Sequence, residues 1–494
     1  MKFSHLSLLV LFAALLCYSC QRDRLTTDAS AKLAFSQDTV LFDTVFTTIG
    51  STTQYLKIYN RNSEAIKIAT IDLESGSSSN FRMAVDGDNG THFEDIIIGA
   101  GDSLYILVEV TVDPTGSNLP YVIEDRILFN TNGNDQHVQL AAWGQDAYFH
   151  GGNSNTAIYV LPANEVWNND KPHVIYGIVA VDEGNTLTIT EGTHVYCHAR
   201  SGLFVYKSTL VVQGSLNNEV VFEGDRLEAA YDNVSGQWGI QFPVQVNTGT
   251  GPGIYSVTRG GIWIYQSPGS SIDYAIIRNS GMGIQVDTTG TNTGFALTLT
   301  NSKITNASGV GLYAQGSRIS ARNVLVANCG DACANLGVGG TYQFDNCTFA
   351  NYWSNGTRTS PAFYLSNYYE DINQNIQVRS LTDCYFRNCI MYGNNATLTD
   401  FNEFLYDVKE PENQQVQFKY CLVDTDTDVS DDGNHYESMV SGQSPYFCDA
   451  NNGNFRINQN LPRMVGGSFI IAPDISGQDN GDWKGCYDYT GNCD

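Results

Sequence analysis

The chain has 494 residues, with 26 Lys and Arg against 52 Asp and Glu, giving a net charge of -26. That balance excludes nucleic acid as the main partner, because phosphate binding needs clustered Lys and Arg. Only 16% of residues are charged, whereas Gly is 47, Asn 44, Tyr 28 and Phe 23; the aromatics exclude disorder, and the mixture favours turn-rich β structure over helix bundles.

The chain opens with Met1-Lys2 and an apolar stretch from Leu6 to Leu16, too short to span a membrane. It closes on Leu16-Cys17-Tyr18-Ser19-Cys20, which resembles the lipobox of bacterial lipoprotein signals. Cys17 departs from that pattern, where Leu is usual. The resemblance implies a signal over residues 1–19 and an acylated Cys20, hence attachment to a membrane by lipid alone. A plain secretory signal is the alternative. Cleavage there removes only Lys2 among the charged residues, leaving 25 basic against 52 acidic. Residues 20–32 read as a tether whose mixed charges leave periplasmic or cell-surface display open. No later stretch is long and apolar enough to span.

Residues 33–150 alternate with period 2. Tyr55–Tyr59, Ala65–Ile68, Leu104–Val112, Arg126–Phe129 and Val138–Ala142 are expected strands. Thr131-Asn132-Gly133-Asn134 is a hairpin turn. Six or seven short strands without Cys suggest an immunoglobulin-like sandwich acting as spacer or docking module.

From residue 153 to about 440 the texture changes to short β-branched runs separated by Gly and Asn, without helical periodicity. Asn279, Asn306, Asn328 and Asn351 recur at spacings of 27, 22 and 23. Such a period means stacked repeats, and a right-handed parallel β-helix fits best. Asn then serves as a coil corner tolerating the left-handed conformation. Cys347, Cys389 and Cys421 each precede a rung strand and read as an inward stack of free thiols. Cys329 with Cys333, and Cys486 with Cys493, are spaced so that each could pair. Among the ten Cys beyond Cys20 there is no C-x2-C pair, which argues against a zinc site.

The run from Thr186 through Gly224-Asp225-Arg226-Leu227-Glu228, Tyr231 and Gly236-Gln237-Trp238-Gly239-Ile240 resembles the opening of bacterial right-handed parallel β-helix repeat lipoproteins. Asp474-Ile475-Ser476-Gly477 with Gly485-Cys486-Tyr487-Asp488-Tyr489 resembles their closing D-I-x-G and G-x-Y-x-Y motifs. The resemblance implies an all-β chain: a sandwich, a pectin-lyase-like coil and a cap over 441–494. It implies an exported, glycan-related protein and no particular reaction.

Enzyme templates fit poorly. Asp431-Asp432 is the one polygalacturonase-like element, and Lys is scarce in the coil. The catalytic candidates are Asp225, Arg226, Glu228, Arg278 and Asp287, near His198 and Arg200; paired carboxylates beside Arg suit acid–base work. A surface salt-bridge patch is the plainer alternative. Candidate ligand aromatics are Trp238, Trp353, Tyr364, Tyr368 and Tyr369. Asp424, Asp426 and Asp428 form a candidate calcium loop, although Val429 stands where Gly is needed and a solvated loop explains them too. No cofactor is otherwise implied. The leading expectation is a monomeric, outer-membrane-anchored lipoprotein of the cell envelope, binding glycan or acting in adhesion. A polysaccharide lyase or glycosidase with an unrecognised site is the alternative, and a structural envelope component the third.

Overall fold

The computed structural model describes residues 24–47, 51–113, 121–151, 158–247, 252–394, 402–458, 474–477, 485–487 and 493. The signal segment and Cys20 lie outside the described residues. The chain divides into two compact units, residues 1–146 and 147–494.

In the first unit the described residues form a six-stranded and a five-stranded sheet. Alternation places Val40, Ile68, Ile127 and Leu140 of one sheet, and Leu56, Phe81, Ile106 and Val108 of the other, in one shared core. The Tyr121–Thr131 and Asn134–Gln145 strands join through the expected two-residue turn. Asn132 (φ 50°) and Gly133 (φ 75°) are both left-handed there, as a primed hairpin turn requires. Leu25 and Thr26, expected in the tether, pair in parallel with Ala65 and Ile66, so ordered structure begins ahead of residue 33.

The second unit is a winding of short parallel strands. Its described residues build an 11-stranded and a 17-stranded sheet. Each strand pairs with the equivalent strand one winding further on, the pairing a parallel β-helix makes. The register steps Ile277, Ile304, Val326, Phe349 and Met391. Those side chains share one axial core with Leu203, Ile264, Val286 and Leu336 of the longer sheet. The first winding begins at Tyr148–Gly151, which pairs with His173–Tyr176.

Asn279, Asn306 and Asn328 are left-handed corners (φ 63°, 56°, 54°), and Asn306 Nδ2 donates to Asn279 Oδ1 at 2.7 Å. Asn351 departs from the series. It ends the Thr348–Asn351 strand and is fully buried. Its amide accepts from Cys329 N (3.0 Å) and donates to Asp331 O (2.7 Å), bracing the preceding turn. A second corner ladder, unread in the sequence, runs through Asn301, Asn323, Asn346 and Asn388.

Cys347, Cys389 and Cys421 are free and buried, as the repeat pattern predicts. Cys329 and Cys333 are also free and buried. Cys493 pairs with Cys448 and not with Cys486. The reason is placement: Cys486 N donates to Thr348 Oγ1 (3.0 Å), and its side chain packs with Leu325, Ala350 and Ile475. The described residues of the closing motif, 474–477 and 485–487, therefore pack on the outer face of the 11-stranded sheet; Asp488 and Tyr489 lie outside the described residues.

Candidate functional site

The catalytic candidates divide between the two sheets. Tyr196, Glu223 and Arg278 occupy successive rungs of the 11-stranded sheet, and the adjoining strand ends carry Tyr176, His198 and Asp225. His198 Nδ1 meets Asp225 Oδ2 at 2.6 Å, and the His198 ring stacks on Tyr176 with centroids 4.5 Å apart. The Asp225 carboxylate raises the imidazole pKa above its ordinary value. Arg278 Nε donates to Glu223 Oε2 at 2.7 Å. Burial alone would raise Glu223, but His194 and Arg278 together hold it below its ordinary value. Arg226 pairs with Glu228 (3.1 Å) and lies over the Tyr231 ring at 3.9 Å. Arg200 is a left-handed corner.

Trp238 is no ligand aromatic. It lies in the axial core, 2% exposed, and its Nε1 donates to Arg278 O at 2.8 Å. Gly261 makes room for it: a Cβ there would sit 2.3 Å from the indole. The flanking glycines look like an exposed loop in sequence, but they let the chain approach the coil and insert the ring.

Asp287 stands on the outer face of the 17-stranded sheet, apart from the other candidates. The register sets two parallel columns there. One runs Phe204, Trp263, Gln285, Tyr313, Asn335, Tyr364 and Leu405. The other begins Tyr206, Tyr265, Asp287 and Gln315. At about 4.8 Å between strands, the first column spans about 29 Å. Phe204 stacks on Trp263 (4.4 Å) and Tyr206 on Tyr265 (5.8 Å). Asp287 Oδ2 accepts from Trp263 Nε1 (2.8 Å) and Gln285 Nε2 (2.7 Å). Its Oδ1 is buried without a hydrogen-bond partner, as is Arg259 Nε. Arg259 also lies 5.3 Å from the centre of the Trp263 ring. Burial raises the Asp287 pKa, partly opposed by its bonds to Trp263 and Gln285.

Two expected aromatics continue this face. Tyr364 belongs to the first column, and Tyr364 and Tyr368 both donate to Asp407 Oδ2, at 3.3 and 2.6 Å. Tyr369 is exposed and takes a hydrogen bond from Arg379 (3.1 Å). Trp353 is half-buried against the Gly330 corner. The aromatics missed in the sequence, Phe204, Tyr206, Trp263, Tyr265 and Tyr313, had one legible signal: aromatic–apolar–aromatic in both Phe204–Tyr206 and Trp263–Tyr265.

The acidic candidates do not converge. Asp424 is half-buried, its pKa raised by burial and by Glu403. Asp426 and Asp428 are exposed, and Asp428 Oδ1 accepts from Ser430 N and Oγ. Among the described residues no group of three or more His, Cys, Asp or Glu is placed to hold a metal ion.

No protein-family model matches the chain, nor does any curated protein sequence. Among solved structures, the complex of XylC with xylose aligns at a TM-score of 0.32 and 9% identity, covering 81% of this chain and 74% of that one. A catalytic domain of GH87 alpha-1,3-glucanase in complex with tetrasaccharides aligns at 0.22 and 9%, covering 85% and 92%. The PapD-like domain 7 of human CEP192 aligns at 0.17 and 10%, covering 26% and 95%. Likeness at this level leaves function to the chain's own residues.

Proposed function

We propose that the chain is an exported cell-envelope lipoprotein that binds polysaccharide along the outer stripe of its coil. On this reading the first unit is an immunoglobulin-like module, the coil is right-handed, and Cys20 carries the lipid that attaches the protein to the outer membrane. The carrying observation is the stripe itself: the stacked pairs Phe204–Trp263 and Tyr206–Tyr265, in register with Gln285, Asp287 and Tyr313. Aromatic faces suit the apolar faces of sugar rings, and the half-buried amides of Gln315 and Asn335 suit their hydroxyls; Gln285 is fully buried and, bonded to Gly260 N and Asp287, braces the stripe from within. The repeat supplies these groups at a constant step along about 29 Å, which suits a linear polymer better than a small molecule.

A glycan array probed with the soluble chain from residue 21 tests the reading. Trp263→Ala should weaken binding about 10- to 100-fold, the about 1.5–3 kcal/mol of burying an aromatic face. Unchanged binding by Trp263→Ala and Tyr313→Ala would refute the stripe. For the anchor, Cys20→Ala should move the protein from the membrane fraction to the soluble one.

One observation favours an enzyme reading. Asp287, half-buried on this face with its pKa raised by burial, has the character of a general acid in a glycosidase or lyase. Release of reducing or unsaturated sugar ends, abolished by Asp287→Asn, would establish it.

A further inference from the structure

The first unit offers a second place where a saccharide would fit. We infer that a hollow on the outer face of its five-stranded sheet is a binding site for a neutral pyranose ring, separate from the coil. The hollow has a volume of about 480 Å³, within the range of small-ligand sites. Its build follows from strand register. Tyr55, Leu107, Ala84 and Asn89 lie opposite one another across four strands. Arg82 and Glu109 face each other in the next outward row. The side chain of Ala84 is a single methyl between longer neighbours, so the face is dished there. Leu107 and Ala84 make an apolar floor. Tyr55 and Tyr105, 60% and 50% exposed, stand beside it with their rings 5.9 Å apart.

The polar rim matches a sugar. Among the described residues, the Arg82 guanidinium has no hydrogen-bond or ion-pair partner. Glu109, which lines the hollow, accepts from Thr53 Oγ1 through Oε1 (2.5 Å), which leaves Oε2 available to a ligand. Asn89 adds an amide that both donates and accepts. A pyranose presents an apolar C–H face to such a floor. Neighbouring hydroxyls can then accept from Arg82 and donate to Glu109. Because the two charges are opposite and adjacent, they match a neutral hydroxyl pair better than a carboxylate or sulfate. A solvent-facing apolar floor with an unpaired donor and a nearby acceptor serves no packing purpose in this sheet, whose core lies on the other face.

The experiment uses the soluble chain from residue 21 and a panel of neutral gluco-, galacto-, manno- and xylo-configured oligosaccharides. Binding is read by calorimetry, and its place by hydrogen exchange. At least one sugar should slow exchange in residues 82–91 and 103–109, and should do so equally in Trp263→Ala. Ala84→Trp, which fills the floor, should weaken that binding at least tenfold, and Arg82→Ala and Glu109→Gln about fivefold each. Circular dichroism and the unfolding midpoint check each variant; should Ala84→Trp misfold, Arg82→Ala and Glu109→Gln carry the test. The inference is overturned if no sugar of the panel protects these segments, or if the folded variants bind as the parent does. Binding confined to the coil would sink this site and leave the stripe standing.

Discussion

Arg358 and Glu403 form the most deeply buried ion pair among the described residues, with side chains 3% and 2% exposed. Arg358 Nη1 donates to Glu403 Oε2 (2.7 Å) and Nη2 to Oε1 (2.5 Å), a bidentate contact. The guanidinium also donates to Ser360 O (2.6 Å) and Asn351 O (3.2 Å), and Glu403 Oε2 accepts from Ala362 N (2.8 Å). The pair thus fixes the loop that leads into Phe363–Ser366, the strand bearing Tyr364. Arg358→Met deletes one charge and strands the other in the interior, which costs about 3–5 kcal/mol. Arg358→Met with Glu403→Leu should recover most of the loss, since a packed apolar pair replaces a buried ionic one at little cost. Urea unfolding of the parent and both variants measures this, with glycan binding followed in parallel because Tyr364 should loosen. An unchanged midpoint for Arg358→Met, or a double variant weaker than either single one, would refute the reasoning.

Acid should destabilise the first winding of the coil. His150 Nε2 and His173 Nδ1 lie 2.9 Å apart in a stack with Trp167, and burial pushes their pKa values down to about 3 and about 4. Both folded values are depressed for a base, so the stability is full above the unfolded value of about 6.5 and is lost as pH falls toward 4. Replacing the pair with Phe and Gln should flatten the stability profile between pH 7 and 4.5. Asp287→Asn should behave the opposite way: its raised folded pKa costs stability at neutral pH, so the variant's stability relative to the parent should be greater at pH 7 than near pH 3, while it loses glycan affinity. The eight free, buried thiols of the described residues should resist a maleimide in the native chain and react on unfolding. Rapid native labelling of Cys347, Cys389 or Cys421 would contradict their inward stacking.

The repeat was legible because coil corners and core positions each demand a residue type. Asn279, Asn306 and Asn328 mark corners, and Cys347, Cys389 and Cys421 mark an inward position. Asn351 matched the spacing but not the conformation, because its amide is recruited by the backbone of the preceding turn. The stripe was not legible, because it exists only in register. The hairpin of Gln241–Asn247 and Pro252–Thr258 intervenes between Phe204 and Trp263, so two stacked rings stand 59 positions apart in the chain. The same winding sends Asp225 and Asp287 to different sheets, although both close short strands. Proximity in a coil follows the winding count, and insertions of unequal length hide that count from a reader of spacing alone.

The net charge bears on ligand choice less simply than the composition suggests. A body with 52 acidic residues repels polyanions at long range. At the stripe, however, the Arg259 guanidinium lies over the Trp263 indole and sets a positive charge near the Asp287 carboxyl. The two opposite charges offset one another, so the contact surface carries little net charge although the chain carries much. A ligand recognised there by ring faces and hydroxyls should feel little of the body's field, which is screened beyond about 8 Å at physiological salt. Affinity for a neutral glycan should change less than about twofold between 50 and 500 mM NaCl, whereas a sulfated or uronate polymer held by charge should lose affinity steeply. Calorimetric titrations across that range decide between them. A steep salt dependence for the tightest ligand would show that charge, and not the aromatic stripe, governs recognition.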